Sequence, residues 1–86
     1  MKRNQIWQQI ELELRDAKKK HPNWPDHVCA QAGIVVEEAG ELMHAALQWK
    51  YERDGSELVR EVQKDDMRKE AIQTAVTAIR FLENLK

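Results

Sequence analysis

Three glutamates lie within an otherwise apolar segment of the chain, GIVVEEAGEL, residues 33–42. Glu37 and Glu41 are four residues apart, and Glu38 and Glu41 are three apart, so a helix places all three carboxylates within roughly a quarter-turn. Like charges at these spacings destabilise a helix by about 0.2–0.5 kcal/mol per pair. Hard divalent cations such as Mg²⁺ are bound by clustered carboxylates and remove that repulsion. The segment therefore predicts a magnesium site, and the alternative is an ordinary solvated acidic face.

A second set of oxygen-bearing side chains follows later in the chain. Glu70 and Gln73 repeat the three-residue spacing of Glu38 and Glu41. Two antiparallel helices with this spacing can direct four oxygen ligands at one cation site, as in the carboxylate sites of helical bundles. The amide oxygen of Gln73 can ligate Mg²⁺, but it contributes no charge.

Together, the segments Glu37-Glu38-x-x-Glu41 and Glu70-x-x-Gln73 resemble the EExxE and ExxD motifs of the MazG-like, all-α nucleoside triphosphate pyrophosphohydrolases. The resemblance covers about residues 30–85, and the preceding helix fits the leading helix of that family in length. One position departs from the family pattern, because Gln73 stands where the family has aspartate.

The resemblance implies a reaction and a role for each acidic residue. Members of the family use Mg²⁺ to hydrolyse a (d)NTP between its α- and β-phosphates, giving (d)NMP and pyrophosphate, and nucleotide-pool housekeeping is the expected role. Glu38, Glu41 and Glu70 are the implied Mg²⁺ ligands, with Gln73 as a weaker fourth. Glu37 and Glu38 are the catalytic candidates, and Glu37 could polarise the attacking water, act behind the ligands or cap the site. An acidic site can hold an anionic triphosphate because bridging cations neutralise it.

Several other side chains are candidates for substrate binding. Trp24, held between two prolines in HPNWPD, could stack on the base or simply pack, whereas Trp7 and Trp49 are expected to pack in a core or an interface. His44 extends the glutamate stripe by one turn, and Thr77 lies on the polar side of the third helix. Four basic residues could contact the phosphates or be ordinary surface charges: Lys50, Arg53, Lys69 and Arg80.

Three helices are predicted to position these residues, because apolar side chains recur with helical spacing. We expect them over about residues 4–20, 27–53 and 57–85, with Asp26 and Ser56 as N-caps of the second and third, and a kink or restart near Asp65–Asp66. The second helix divides into a polar side with the glutamates and an apolar side expected to face the core. The apolar side consists of Val28, Ala32, Val35, Ala39, Leu42, Ala46 and Trp49, and it is extended by Val36, Met43 and Leu47.

Composition narrows the class of protein. The 86 residues include 14 basic and 15 acidic side chains, so the basic excess expected of a polymeric nucleic-acid binder is missing. The single cysteine, Cys29, excludes a disulfide within one chain and is expected to be a small core residue. The N-terminus has no apolar segment typical of a signal peptide, and no uncharged run is long enough to span a bilayer. A cytoplasmic protein without a membrane partner is expected.

The predicted fold is a single all-α domain over residues 1–86, an antiparallel helical bundle. A chain of this size forms a marginal core, and the apolar arc of the second helix is wider than one neighbour can cover. We therefore expect a homodimer or tetramer that completes a four-helix core. Two alternatives to the enzyme remain open: a catalytically weak or silent MazG-like module that binds nucleotide or metal, and a helical interaction protein with solvated glutamates.

Overall fold

The computed structural model describes residues 1–52 and 55–86. Three α-helices run in chain order, α1 (Arg3–Lys20), α2 (Val28–Tyr51) and α3 (Glu57–Asn84), and the described ranges contain no strand. The predicted all-α class is confirmed, whereas the predicted end of the second helix, Arg53, lies outside the described residues. None of these helices combines the length and apolar character that crossing a membrane requires.

The helix ends follow local side-chain chemistry. Ser56 caps α3 as predicted, since its Oγ accepts a hydrogen bond from the backbone N–H of Val59 at 3.4 Å. The prediction that Asp26 is the N-cap of α2 is wrong. His27 is the N-cap, and its Nδ1 accepts a hydrogen bond from the backbone N–H of Cys29 at 3.2 Å. A restart of the third helix near Asp65–Asp66 is not found, because α3 continues through both residues.

The apolar core lies between α1 and α3. Ile10 of α1 is buried against Ile72 and Val76 of α3, and the neighbours that pack around them are Ile6, Leu14, Ala17, Ala75 and Ile79. The spacing of Ile6, Ile10, Leu14 and Ala17 predicts an apolar stripe on the first helix, and these four residues do pack in the core. Trp7 and Leu12, which were expected to widen the stripe, are exposed. The two helices run parallel, since Glu13 contacts Gln73 and Lys18, further along α1, contacts Glu83, further along α3.

Helix α2 packs on a different side of α3 and runs antiparallel to it. The side of α2 that turns inward includes Gln31 and Ala45, which are buried, and Ile34 and Glu38, which are half-buried. The predicted apolar side is wrong in part. Its half-buried members are Val35, Leu42, Ala46 and Trp49, whereas its exposed members are Val28, Ala32, Val36, Ala39, Met43 and Leu47. The physical reason is that α1 occupies the apolar face of α3, which leaves α2 to meet the polar one.

The prediction that Cys29 is a core residue is wrong as well. Cys29 is exposed on the side of α2 that points away from α3. Cys29 is not buried, because no described residue of another helix packs against this face of α2.

Two hydrogen bonds fix the segment between α1 and α2. Gln31 Nε2 donates to the carbonyl of Pro25 at 2.8 Å, and Arg80 Nη2 donates to the carbonyl of His21 at 2.8 Å. Arg80 also lies over the ring of Trp24, with its guanidinium carbon 4.6 Å from the ring centroid. These contacts hold Trp24 against the C-terminal half of α3.

Candidate metal centre and adjoining cavity

Three carboxylates from two helices converge at the middle of the α2–α3 pair. One oxygen from each of Glu38, Glu41 and Glu70 lies within 4.8 Å of the other two. Glu38 and Glu41 share a face of α2 because three residues make almost one helical turn, and the antiparallel packing of α3 brings Glu70 opposite them. Glu38 and Glu70 are half-buried, and Glu41 is exposed.

The proximity of these groups perturbs their ionisation. Burial raises the pKa of Glu38 above its usual range, and the neighbouring charges of Glu41 and Glu70 raise it further. Burial also raises the pKa of Glu70, and Glu41 adds to the effect, while the adjacent ammonium of Lys69 partly opposes it. The fold therefore holds carboxylates together at an electrostatic cost.

The donor set fits a hard divalent cation. Carboxylate oxygens are the ligands that Mg²⁺ and Ca²⁺ prefer, and one chain supplies three of them here. Glu70 Oε2 is buried without a hydrogen-bond partner among the described residues. A buried acceptor left unpaired is costly, and a cation beside it removes that cost.

The remaining two acidic-motif positions lie differently. Glu37 is exposed, and its carboxylate is not part of the three-glutamate group. Gln73 lies one turn beyond Glu70 on α3, and its Nε2 donates to Glu13 Oε2 of α1 at 2.8 Å. The structure thus brings together three of the four predicted ligands and ties the fourth to α1.

A cavity of about 370 Å³ adjoins the three-glutamate group. Glu38 is a member of the three-glutamate group and also lines this cavity. The other lining residues come from all three helices and from the segment between α1 and α2, and they include Trp24, Ile34, Gln73, Val76, Thr77 and Arg80. A volume of this size suits a small-molecule ligand.

Two buried N–H donors in the residues that line this cavity have no partner in the described chain. These are Nε1 of Trp24 and Nε of Arg80. Only 6% of the Arg80 surface is exposed, and the residue makes no ion pair with a described carboxylate. A buried guanidinium without a counter-charge is costly, so the cavity wall favours an anionic or acceptor-rich ligand.

Thr77, another predicted substrate-binding residue, also lines the cavity and is buried. Its Oγ1 donates to the carbonyl of Thr74 at 2.9 Å, so its proton is used within α3. The hydroxyl oxygen can still accept a hydrogen bond.

The structure places the remaining predicted residues elsewhere. His44 and Lys50 are exposed on α2, and neither lines the cavity.

Trp49 packs under Arg60, whose guanidinium carbon is 3.5 Å from the ring centroid, as the packing interpretation of Trp49 predicts. Trp7 is 55% exposed on α1, so its expected core packing is not found within one chain. Lys69 lines a separate groove between α1 and α3, and Arg53 lies outside the described residues.

Sequence reasoning missed Glu13 and Gln31. Glu13 contacts a motif residue, and Gln31 holds the segment that carries Trp24. Glu13 lies three residues after Ile10 and four before Ala17, so it borders the apolar stripe of α1. A charged residue at the border of an apolar stripe indicates a polar contact with the neighbouring helix, and this was the signal in the sequence that could have identified Glu13.

No family model matches this chain, and no curated protein or solved structure matches it either.

Proposed function

We propose that this protein is a Mg²⁺-dependent, MazG-like nucleoside triphosphate pyrophosphohydrolase that converts a (d)NTP to (d)NMP and pyrophosphate. The observation that carries the proposal is the convergence of Glu38, Glu41 and Glu70, with one oxygen of each within 4.8 Å of the others. An acidic stripe on α2 alone would be explained equally well as a solvent-exposed face of the helix. A third carboxylate supplied by α3 favours a cation instead.

Glu38, Glu41 and Glu70 would hold the Mg²⁺, and Gln73 is the proposed fourth oxygen ligand. The ion would neutralise the phosphates, activate a water and stabilise charge that develops as the phosphoanhydride bond breaks. Glu37 is the second catalytic candidate, and it would act on the attacking water.

The cavity beside Glu38 is the proposed nucleotide-binding site. Arg80 presents a buried cation whose Nε–H has no partner among the described residues and can donate to a phosphate oxygen. Nε1 of Trp24 and the Thr77 hydroxyl provide further polar contacts, while Ile34 and Val76 supply apolar surface that limits water.

A weak or silent nucleotide-binding module is the second candidate, and Gln73 is the observation that favours it. An amide in place of a carboxylate lowers the negative charge of the site and so its attraction for Mg²⁺. This candidate predicts Mg²⁺-dependent stabilisation by nucleotide without turnover.

The test is pyrophosphate release from a panel of (d)NTPs with and without Mg²⁺. We expect Mg²⁺-dependent release that falls by at least about 100-fold in Glu70→Gln, since substituting residues that merely support metal ligands already costs about 10–100-fold. Glu61→Gln is the matched control, because Glu61 is an exposed carboxylate on the same helix. Equal activity in Glu70→Gln and Glu61→Gln would overturn the site.

We also propose that the protein is a homodimer or tetramer in which α2 and α3 complete a four-helix core. The chain exposes 6619 Å², whereas a folded monomer of 10.1 kDa is expected to expose about 5,300 Å². The excess, about 1,300 Å² per chain, is of the order that stable subunit interfaces bury. The outer face of α2, defined as its uncharged exposed residues opposite α3, is the proposed contact: Cys29, Ala32, Gly33, Val36, Gly40, Met43 and Leu47.

A further inference from the structure

Glu13 of α1, the helix that carries no part of the acidic motif, contacts the motif residue Gln73. Its Oε2 accepts a hydrogen bond of 2.8 Å from Nε2 of Gln73, a residue 60 positions further along the chain. Both side chains are half-buried. Gln73 therefore has a fixed partner on the side that faces α1.

This contact decides which way the Gln73 amide points. An ionised carboxylate only accepts hydrogen bonds, so the amide must turn its nitrogen toward Glu13. The oxygen, Oε1, is then the atom that Gln73 can offer to a cation. The amide of Gln73 could otherwise flip. The carboxylate of Glu13 thus fixes the orientation in which the amide oxygen is available as a ligand.

The surroundings of Gln73 supply an independent reason to expect a ligand on its other side. Gln73 lines the cavity of about 370 Å³ together with Glu38 and Arg80. Arg80 is more than nine-tenths buried, and its Nε has no partner in the described chain. An anionic group bound there would occupy the same cavity that Gln73 borders.

We propose that Glu13 is a positioning residue that would hold Gln73 as a neutral oxygen ligand of Mg²⁺ and that places a negative charge one hydrogen bond away from this ligand. The proposal rests on the proposed function. It explains how a site with glutamine at this position can keep its negative charge: the charge comes from α1 and acts through the amide. Carboxylates that hydrogen-bond to metal ligands act in this way in other sites.

The pairing makes a directional prediction for Gln73→Asp. The new carboxylate ligates without help, and Glu13 becomes a like charge close to it. Removing the charge of Glu13 should weaken Mg²⁺ binding when residue 73 is glutamine, and should leave it unchanged or tighten it when residue 73 is aspartate.

The experiment is calorimetric titration of the nucleotide-free protein with Mg²⁺ alone, for the unsubstituted chain, Glu13→Gln, Gln73→Asp and the double variant. We expect Glu13→Gln to weaken binding by about 10-fold or more, with a circular-dichroism melting curve unchanged in the absence of Mg²⁺. Glu83→Gln is the matched control, because Glu83 also links α3 to α1, through Lys18, with an Nζ–Oε1 distance of 2.9 Å. It should bind Mg²⁺ like the unsubstituted protein.

Each outcome supports or overturns the proposal. Unchanged Mg²⁺ affinity in Glu13→Gln overturns it, and so does an equal loss with glutamine and with aspartate at position 73, since Glu13 then acts independently of Gln73. The proposed function fails separately if Glu70→Gln binds Mg²⁺ as the unsubstituted protein does. Absence of Mg²⁺ binding by the unsubstituted chain contradicts both.

Discussion

Glu38 is the residue at which the two halves of the candidate site meet. Its carboxylate belongs to the three-glutamate group, and its side chain also lines the cavity that contains Arg80. Burial and the neighbouring charges of Glu41 and Glu70 raise its pKa. Without a cation, this carboxylate is therefore expected to destabilise the fold at neutral pH.

Glu38→Gln should stabilise the metal-free protein at pH 7. Like-charge neighbours cost about 0.2–0.5 kcal/mol each on a helix, so we expect a gain of about 0.5–1 kcal/mol in the free energy of unfolding. The measurement is urea unfolding in EDTA at a fixed protein concentration, with Glu61→Gln as the control that gains nothing.

The stability gained by Glu38→Gln should depend on pH, because the pKa of Glu38 is raised in the folded chain. The pKa of Glu38 is higher in the folded chain than the value of about 4.3 expected when unfolded, so its contribution to stability is fully present below that value. That contribution is lost as the pH rises through the folded-state pKa. The advantage of Glu38→Gln should therefore vanish near pH 4, and a variant less stable than the unsubstituted protein at pH 7 would contradict the electrostatic account.

At the scale of the elements, α3 is the helix that organises the fold. One side packs with α1 in the apolar core, and another presents Glu70 to α2. Its first turns also hold the end of α2: Arg60 Nη1 donates to the carbonyl of Trp49 at 2.8 Å, and Gln63 Nε2 donates to that of Glu52 at 2.9 Å. These bonds pair carbonyls at a helix C-terminus that has no intrahelical donors left.

Gln63→Ala should destabilise the fold through this contact. Gln63 is buried, and Arg60 Nη1 also donates to its Oε1 at 2.9 Å. Leaving buried polar groups without partners costs about 1–3 kcal/mol, and each kcal/mol lowers Tm by about 4–8 °C in a domain of this size. Thermal unfolding by circular dichroism measures the effect. Gln8→Ala, at an exposed position of α1, should leave Tm unchanged, and an equal Tm for both variants would contradict the role of Gln63.

The helices differ in how far the sequence could predict their packing. The stripe of α1 was predictable because one narrow apolar face meets one apolar neighbour. The orientation of α2 was not, since that helix has two plausible faces, and periodicity cannot tell which one a neighbour has already occupied. The pairing of Glu38 and Glu41 with Glu70 could be predicted from their spacing. The Glu13–Gln73 contact depends on the parallel placement of α1, which no local pattern specifies.

At the scale of the whole molecule, the single chain leaves much apolar surface uncovered. Val36 and Met43 are 69% and 60% exposed, and Val76 is the one described large side chain with under 2% exposure. A Cβ added at Gly33 or Gly40 would meet no atom within 4 Å, so the outer face of α2 is open along its length. A second copy of this face would bury the residues that the monomer leaves in water.

Met43→Lys should therefore dissociate the proposed oligomer. Light scattering after gel filtration should give at least twice 10.1 kDa for the unsubstituted chain and a mass near 10.1 kDa for the variant, because a lysine desolvated in an apolar contact is costly. Gln8→Lys adds the same charge at an exposed position of α1 and should not change the mass. A monomeric unsubstituted protein would contradict the four-helix core.

The three converging glutamates are proposed to hold the metal for cleavage between the α- and β-phosphates. The most direct measurement is ³¹P NMR of the protein with Mg²⁺ and a (d)NTP, which follows every phosphorus product at once. Pyrophosphate and (d)NMP should appear in equal amounts, and both signals should be lost in Glu70→Gln. Formation of (d)NDP and inorganic phosphate, or no product across the nucleotide panel, would contradict it.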